Sequence, residues 1–313
     1  MTPLLTRLGL DKATLIGMSA ILMWSSAIGI YRHIAEIFGP VGGAALTFTV
    51  SGIVAVIYAG RSFLRGHSGG YLLLGGVFFV AYEISLALAL GFADNRNQSI
   101  ELGLINYLWP CLTIVSAVLL GDQRASIVIV PGVLLSLLGI FWVTSGGESL
   151  GIQPLLTNIG QNPLAYALAL TAAITWPIYT LATRRMARGR NAVPLFLLTT
   201  AGVLWIKFLL TEQPPLHFDL KGALLVGGFG VITTLAYSAW NHGVMHGNLT
   251  LLASASYFTP VLSVLLSSLL FQAMPDTSFW TGALLVTAGS LLCWWAVRAR
   301  SNADSGSRQT TSA

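Results

Sequence analysis

Charge is the scarcest ingredient of this chain: only 9% of its 313 residues are Asp, Glu, Lys or Arg. A water-soluble surface calls for about 25% charged residues. With 55% hydrophobic residues and a mean hydropathy of +0.76, an ordinary soluble globule is excluded. Cysteine is nearly absent as well. Cys111 and Cys293 both fall inside apolar runs, which argues against a disulfide framework or a zinc site and favours buried, inert thiols. There is no G-x-x-x-x-G-K-[ST] element, so ATP does not drive whatever the protein does. Carboxylates are scattered over separate loops, without the clustered His/Asp/Glu or Ser/His set that an integral membrane transferase would need, so the chain reads as a non-enzyme with no cofactor or metal.

What is present is a succession of long apolar segments. A hydrocarbon core of ~30 Å takes ~20 apolar residues per helix. Ten segments meet that measure, at 13–34, 40–61, 70–92, 98–120, 125–145, 162–186, 191–211, 219–242, 248–272 and 277–298. Gly39-Pro40, Gly69-Gly70, Gly146-Gly147, Pro214-Pro215 and Gly247-Asn248 punctuate them. The first segment is longer than a signal-peptide core and has no A-x-A cleavage site, so it reads as a retained helix. The Ser/Thr-rich end, 302–313, reads as a disordered tail.

Ten spans put both termini on one side. That side then carries 12 Lys/Arg residues, among them Arg65, Arg124, Arg184, Arg185 and Arg188, and the other carries four: Arg32, Arg96, Lys207 and Lys221. Positive charge stays inside, so both termini are expected in the cytoplasm. The net charge of +5 is thus loop charge marking topology, with no nucleic-acid partner implied. The arginines of 184–190 could also meet anionic lipid.

The second half of the chain repeats the first. A shift of 152 positions aligns Trp24 with Trp176, Thr47 with Thr199, and Gly75-Gly76 with Gly227-Gly228. A shift of 150 aligns Tyr107 with Tyr257, Pro110 with Pro260, Gly132 with Gly282 and Gly139 with Gly289. Each unit has five spans, an odd number, so two units in tandem cross the membrane in opposite senses. The expected organisation is an N-terminus at 1–12, a first five-helix repeat at 13–145, an extracytoplasmic linker at 146–161, a second repeat at 162–298 and a tail at 299–313. Inverted repeats place a site near the bilayer midplane and give alternating access by exchanging their conformations. Because the chain supplies its own pseudo-symmetry, a monomer is the expected working unit and a channel built around an oligomer axis is disfavoured.

Ten spans, the five-plus-five inverted repeat and the prolines of spans four and nine resemble the drug/metabolite transporter superfamily, in its EamA group. Within that group the run Glu101-Leu102-Gly103-Leu104-Ile105-Asn106-Tyr107-Leu108-Trp109-Pro110 resembles the YddG-type aromatic amino acid exporters. The resemblance implies an all-α integral membrane basket of ten helices around a central cavity. It further implies residence in a bacterial inner membrane and export of aromatic amino acids and related amphipathic solutes from the cytoplasm.

Candidate site residues follow from polarity and ring content. Ser99, Gly103, Asn106, Pro110, Thr113 and Ala117 form a small-and-polar stripe along span four, and Ser256, Pro260, Ser263 and Ser267 form one along span nine. Such a stripe either packs helices closely or walls a cavity. Asn106 favours the second reading, because a carboxamide in hydrocarbon needs a partner. Glu83 is the only carboxylate well inside a span, where an ionised acid costs about 2.5–3.5 kcal/mol on insertion scales. It could hold a substrate ammonium, bind a coupling proton (Glu101 being the other candidate), or make a structural hydrogen bond. Trp24, Tyr82, Tyr107, Trp109, Trp176, Tyr179, Tyr237, Trp240 and Tyr257 are candidate cavity walls, able to stack on a ring and meet an ammonium. Trp280, Trp294 and Trp295 read as interfacial belts. Pro110, Pro177 and Pro260 are candidate hinges. His242 and His246 have metal-like spacing but no third ligand near them, and read as interfacial.

The expected function is therefore a secondary transporter for small amphipathic solutes. A carrier of nucleotide-sugars, phosphate esters or organic cations is the alternative, with a membrane transferase behind it. Bound phosphate would call for Lys or Arg deep in the membrane, which the sequence does not supply.

Overall fold

The computed structural model describes residues 11–60, 66–121, 124–145, 152–188, 190–247, 252, 255–272 and 274–310. Among them there is no strand. In chain order the helices are α1 (Lys12–Ser25), α2 (Ala27–Phe38), α3 (Pro40–Ala59), α4 (Gly69–Gly91), α5 (Arg96–Asn106), α6 (Trp109–Leu119) and α7 (Ile129–Thr144). There follow α8 (Ile152–Gln161), α9 (Pro163–Met186), α10 (Val193–Leu210), α11 (Leu220–His246), α12 (Thr259–Phe271) and α13 (Thr277–Thr310).

Local chemistry sets where these helices begin. Ser68, Asn95, Asn162 and Asp219 each accept a hydrogen bond from the backbone N–H three residues on, satisfying one of the orphan donors of a helix N-terminus. Asp11 does the same for Thr14 at 2.7 Å, and that N–H holds its carboxyl below the usual carboxylate range. Pro40, Pro163 and Pro194 open α3, α9 and α10, where a missing N–H costs nothing.

Every predicted span meets a helix, with three differences. The first is bent by 42° between α1 and α2, at Ser25-Ser26, without a proline. The fourth divides into α5 and α6, with Tyr107 and Leu108 in a turn. The fifth and ninth are short, at 16 and 13 residues, and most of 248–258 lies outside the described residues. Among the described residues, seven helices are long and apolar enough to cross a membrane, eight with the bent pair taken as one. Two further departures lie outside the spans. The expected linker contains α8, and α13 runs on to Thr310 through the stretch whose composition reads as a disordered tail. Extending an existing helix needs no new nucleus, which lets it run into polar sequence.

The most extensive contacts join α7 to α13, α4 to α9, α3 to α10, and α1 to α11. Each pair couples a helix before residue 145 to one after 162. At the α7–α13 crossing the glycines permit backbone contact. A Cβ on Gly139 would stand 2.8 Å from the Gly282 carbonyl oxygen, and one on Gly289 would stand 2.5 Å from that of Gly132. Midway, Ser136 Oγ lies 3.5 Å from the Val286 carbonyl oxygen. Ile57, Leu73, Leu119, Leu209 and Leu224 are exposed, which fits hydrocarbon as the surrounding solvent. Trp295 is exposed too, while Trp280 and Trp294 are half-buried.

One polar network ties the end of α2 to its neighbours. Arg32 donates to the carbonyls of Gly91 and Ala93 and to Glu36. Arg96 grips Glu36 with two bonds of 3.1 and 2.8 Å, and its guanidinium lies 5.1 Å over the Phe271 ring of α12. Four separate helix ends thereby meet at one edge of the molecule.

Candidate functional site

All residues from Gln98 to Leu108 are buried, so span four runs through the middle of the helix assembly instead of along its rim. A cavity opens beside it. Asn106, Tyr107 and Trp109 face it from span four, Tyr82 and Glu83 from α4, Trp24 from α1, Trp176 from α9 and Tyr237 from α11. Eight of the eleven residues named from the sequence thus meet in one place.

The other three stand apart. Tyr179 packs behind the cavity on Trp176 at 5.2 Å and on Phe79 at 5.2 Å. Trp240 lies against Trp24 at 5.3 Å, one layer removed from the lining. Tyr257 belongs to a separate buried cluster with Cys111, Ile114 and Cys293.

Trp176 is the centre of the aromatic wall. Trp24, Tyr82, Trp109 and Tyr237 all have ring centroids within 6.3 Å of it, the nearest being Tyr82 at 4.5 Å. These rings fill one another's space. Beside them about 60 Å³ stays open to water, enough for a few molecules. A solute ring entering here would meet the same ring faces that now contact one another.

Two polar groups are aimed into this apolar space. Glu83 is 4% exposed, and the Tyr237 hydroxyl donates to its Oε1. Asn106 is 4% exposed, and its Oδ1 accepts no hydrogen bond among the described residues. A buried carboxamide oxygen without a donor costs about 1–3 kcal/mol, which an arriving N–H group would return. Carboxylate and orphan acceptor together make a site with acceptors to spare, suited to a cation that carries its own donors. Among the described residues, no Lys or Arg lines it.

Prolines stand at two matched turns. Tyr107-Leu108 and Tyr257-Phe258 are both in turn conformation, and Pro110 and Pro260 each occupy the first turn of the helix that follows. Pro260 cannot donate to the Ser256 carbonyl, which instead accepts from Thr259 Oγ1 at 2.5 Å. Pro177 sits within α9, which continues through it to Met186.

Glu101 lies elsewhere. It accepts from the Tyr166 hydroxyl at 2.7 Å and lines a separate polar pocket of about 270 Å³ with Gln98, Asn158 and Gln161. His242 and His246 stack with centroids 4.8 Å apart, and no group of three metal-ligating side chains occurs among the described residues.

Comparison with known proteins adds to this geometry. The model of the EamA-like transporter family matches residues 163–295. Proteins called aromatic amino acid exporter YddG, from Salmonella typhimurium and Escherichia coli, are each 45% identical to this chain. The first alignment covers 93% of this chain and 99% of the relative, the second 92% and 98%. A protein of the same name from Ancylobacter novellus is 30% identical over 90% of this chain and 96% of its own length. The chain belongs to the EamA-like transporter family, as a YddG-type member. One solved crystal structure superposes with a TM-score of 0.65 at 27% identity, over 92% of this chain and 98% of that one.

This EamA member also lines its cavity with residues that sequence reasoning did not single out, among them Tyr31, Phe229 and Thr233. Tyr31 stands on α2, beyond the unanticipated bend, and Phe229 packs on it at 4.8 Å. The available signal was Thr233, whose polarity within an apolar run resembles that of Asn106. Its hydroxyl donates to the Phe229 carbonyl at 2.9 Å.

Proposed function

We propose that this YddG-type protein is a secondary transporter that moves aromatic amino acids and related small amphipathic solutes out of a bacterial cytoplasm. In this reading it lies in the inner membrane with both termini cytoplasmic, and it works by alternating access between two inverted five-helix repeats. The observation that carries the substrate class is the pairing of Glu83 and the orphan Asn106 oxygen with the rings around Trp176, in one cavity. An aromatic amino acid offers the complement: an ammonium with three N–H donors beside a ring. Ring stacking is worth about 0.5–1.5 kcal/mol per pair, and a desolvated cation over a ring about 2 kcal/mol. The relatives' exporter name agrees with it.

The α7–α13 crossing supports the inverted repeat. Under the 150-residue shift the contact of Gly132 with Gly289 maps onto that of Gly282 with Gly139, and Ser136–Val286 maps onto itself. A pair that maps onto itself is what a twofold axis passing through it requires. The four most extensive helix pairings obey the same exchange, α1–α11 going to α9–α4, with α3–α10 and α7–α13 returning to themselves. A phosphate-ester or nucleotide-sugar carrier is disfavoured by a lining without Lys or Arg.

Counterflow in proteoliposomes tests the proposal. Vesicles loaded with tryptophan should take up labelled tryptophan, phenylalanine and tyrosine faster than sugars or nucleotide-sugars. Uptake of nucleotide-sugars in preference to every amino acid would refute it.

A further inference from the structure

Two thiols that lie 182 positions apart meet inside the apolar interior. Cys111 Sγ and Cys293 Sγ are 3.4 Å apart, and both residues are fully buried. A disulfide bond measures ~2.05 Å, so about 1.4 Å of approach separates contact from a bond. Cys111 is in the first turn of α6, directly after Pro110 and the turn at Tyr107-Leu108. Cys293 is on α13, wedged against α7: a Cβ placed on Gly132 would stand 2.8 Å from its sulfur. One thiol thus belongs to the segment beyond a break, the other to the most extensively packed helix pair among the described residues.

We propose that Cys111 and Cys293 form a modification site, in which a lipid-permeant two-electron oxidant closes a disulfide that pins α6 to α13 and stops the transport cycle. The proposal rests on the alternating-access reading for its effect on transport, and on geometry alone for the bond. With an oxidant of the diazene class, one thiolate adds to the N=N bond and the second attacks the sulfur so bound. The S–S bond forms, two S–H bonds are lost, and their two protons and two electrons leave as the N–H bonds of a hydrazine.

The site is one-sided. Under the 150-residue shift the equivalent positions are Val261 and Val143, which cannot bond. The packing is one-sided as well: α13 lies against α6, whereas α12 makes no comparable contact with α7 among the described residues. Exchange of the two repeat conformations would therefore separate the sulfurs, and oxidation would hold the chain in the arrangement seen here. Tyr257 packs in the same cluster as the two thiols.

The full chain in proteoliposomes provides the test. Tryptophan counterflow is recorded first, then after diamide, then after dithiothreitol, with intact mass and a non-reducing peptide map taken at each stage. Expected are a loss of two hydrogen masses, one linked peptide holding Cys111 and Cys293, and counterflow falling to that of empty vesicles and returning on reduction. Cys111→Ser and Cys293→Ser should each transport before and after oxidant alike. Thiols still free after oxidant, links only between chains, or a closed bond with counterflow undiminished would each overturn the proposal. Absence of tryptophan counterflow before any oxidant counts against the proposed function instead, and the mass and map then decide the bond.

Discussion

Glu83 and Trp176 carry the site by different physics, and their variants should separate. Glutamine keeps the shape of Glu83 and its bond with Tyr237 but neither charges nor takes up a proton. In Glu83→Gln, tryptophan counterflow should weaken and lose its variation with pH; a rate and pH profile that matched the parent protein would remove Glu83 from the site. Trp176→Ala deletes the ring that five others face. At about 0.5–1.5 kcal/mol per aromatic pair, tryptophan affinity should fall roughly two- to twelvefold. A small aliphatic amino acid should be affected little, and equal loss for both would mean that Trp176 only packs the interior. At this scale the sequence was partly legible. Buried rings and lone polar groups in apolar runs are visible as letters, which is why Trp24, Tyr82, Glu83 and Asn106 could be named. Which ring fronts the cavity depends on neighbours four helices away, so Tyr257 and Trp240 could not be told from Trp109. Cys111 and Cys293 were read as inert because nothing local brings positions 182 apart into contact.

Among the elements, the crossing of α7 and α13 is the most demanding. A Cβ on Gly289 would stand 2.3 Å from Ser136 Oγ as well as against the Gly132 carbonyl, so any side chain must push two backbones apart. Overpacking of this kind costs about 1–3 kcal/mol. Gly289→Leu should therefore unfold at lower temperature in detergent than Gly202→Leu, whose Cβ would meet nothing within 4 Å. Equal melting of the two would show that the helices are not in backbone contact. Helix positions themselves could be read from hydropathy and from caps such as Ser68, Asn95 and Asp219, since both are local signals. The bend at Ser25-Ser26 carries no proline; there both serine hydroxyls donate back to carbonyls of the preceding turn, Ile21 and Met23, a bonding that bends helices but is also common in straight ones.

For the whole molecule, orientation is the property on which direction of transport depends. The distribution of arginine predicts that Arg124 and Arg188 share one face of the membrane and that Lys221 lies on the other. With Cys111 and Cys293 replaced by serine, a single cysteine at each position should react with an impermeant maleimide accordingly: Lys221→Cys in intact cells, Arg124→Cys and Arg188→Cys only after lysis. Labelling of Arg188→Cys in intact cells would invert the topology and with it the sense of export. The all-helical, multi-span character was legible at this scale because low charge and high hydropathy run along the whole chain. The extent of closure was not, being set by how rings from five helices settle together.

That settled interior has an electrical consequence. Each elementary charge crossing a bilayer polarised by 100 mV dissipates about 2.3 kcal/mol, so a resting carrier must not leak ions. A small gap walled by indoles and phenols opposes a continuous water wire, so the unloaded protein should pass no more ion current than bare lipid.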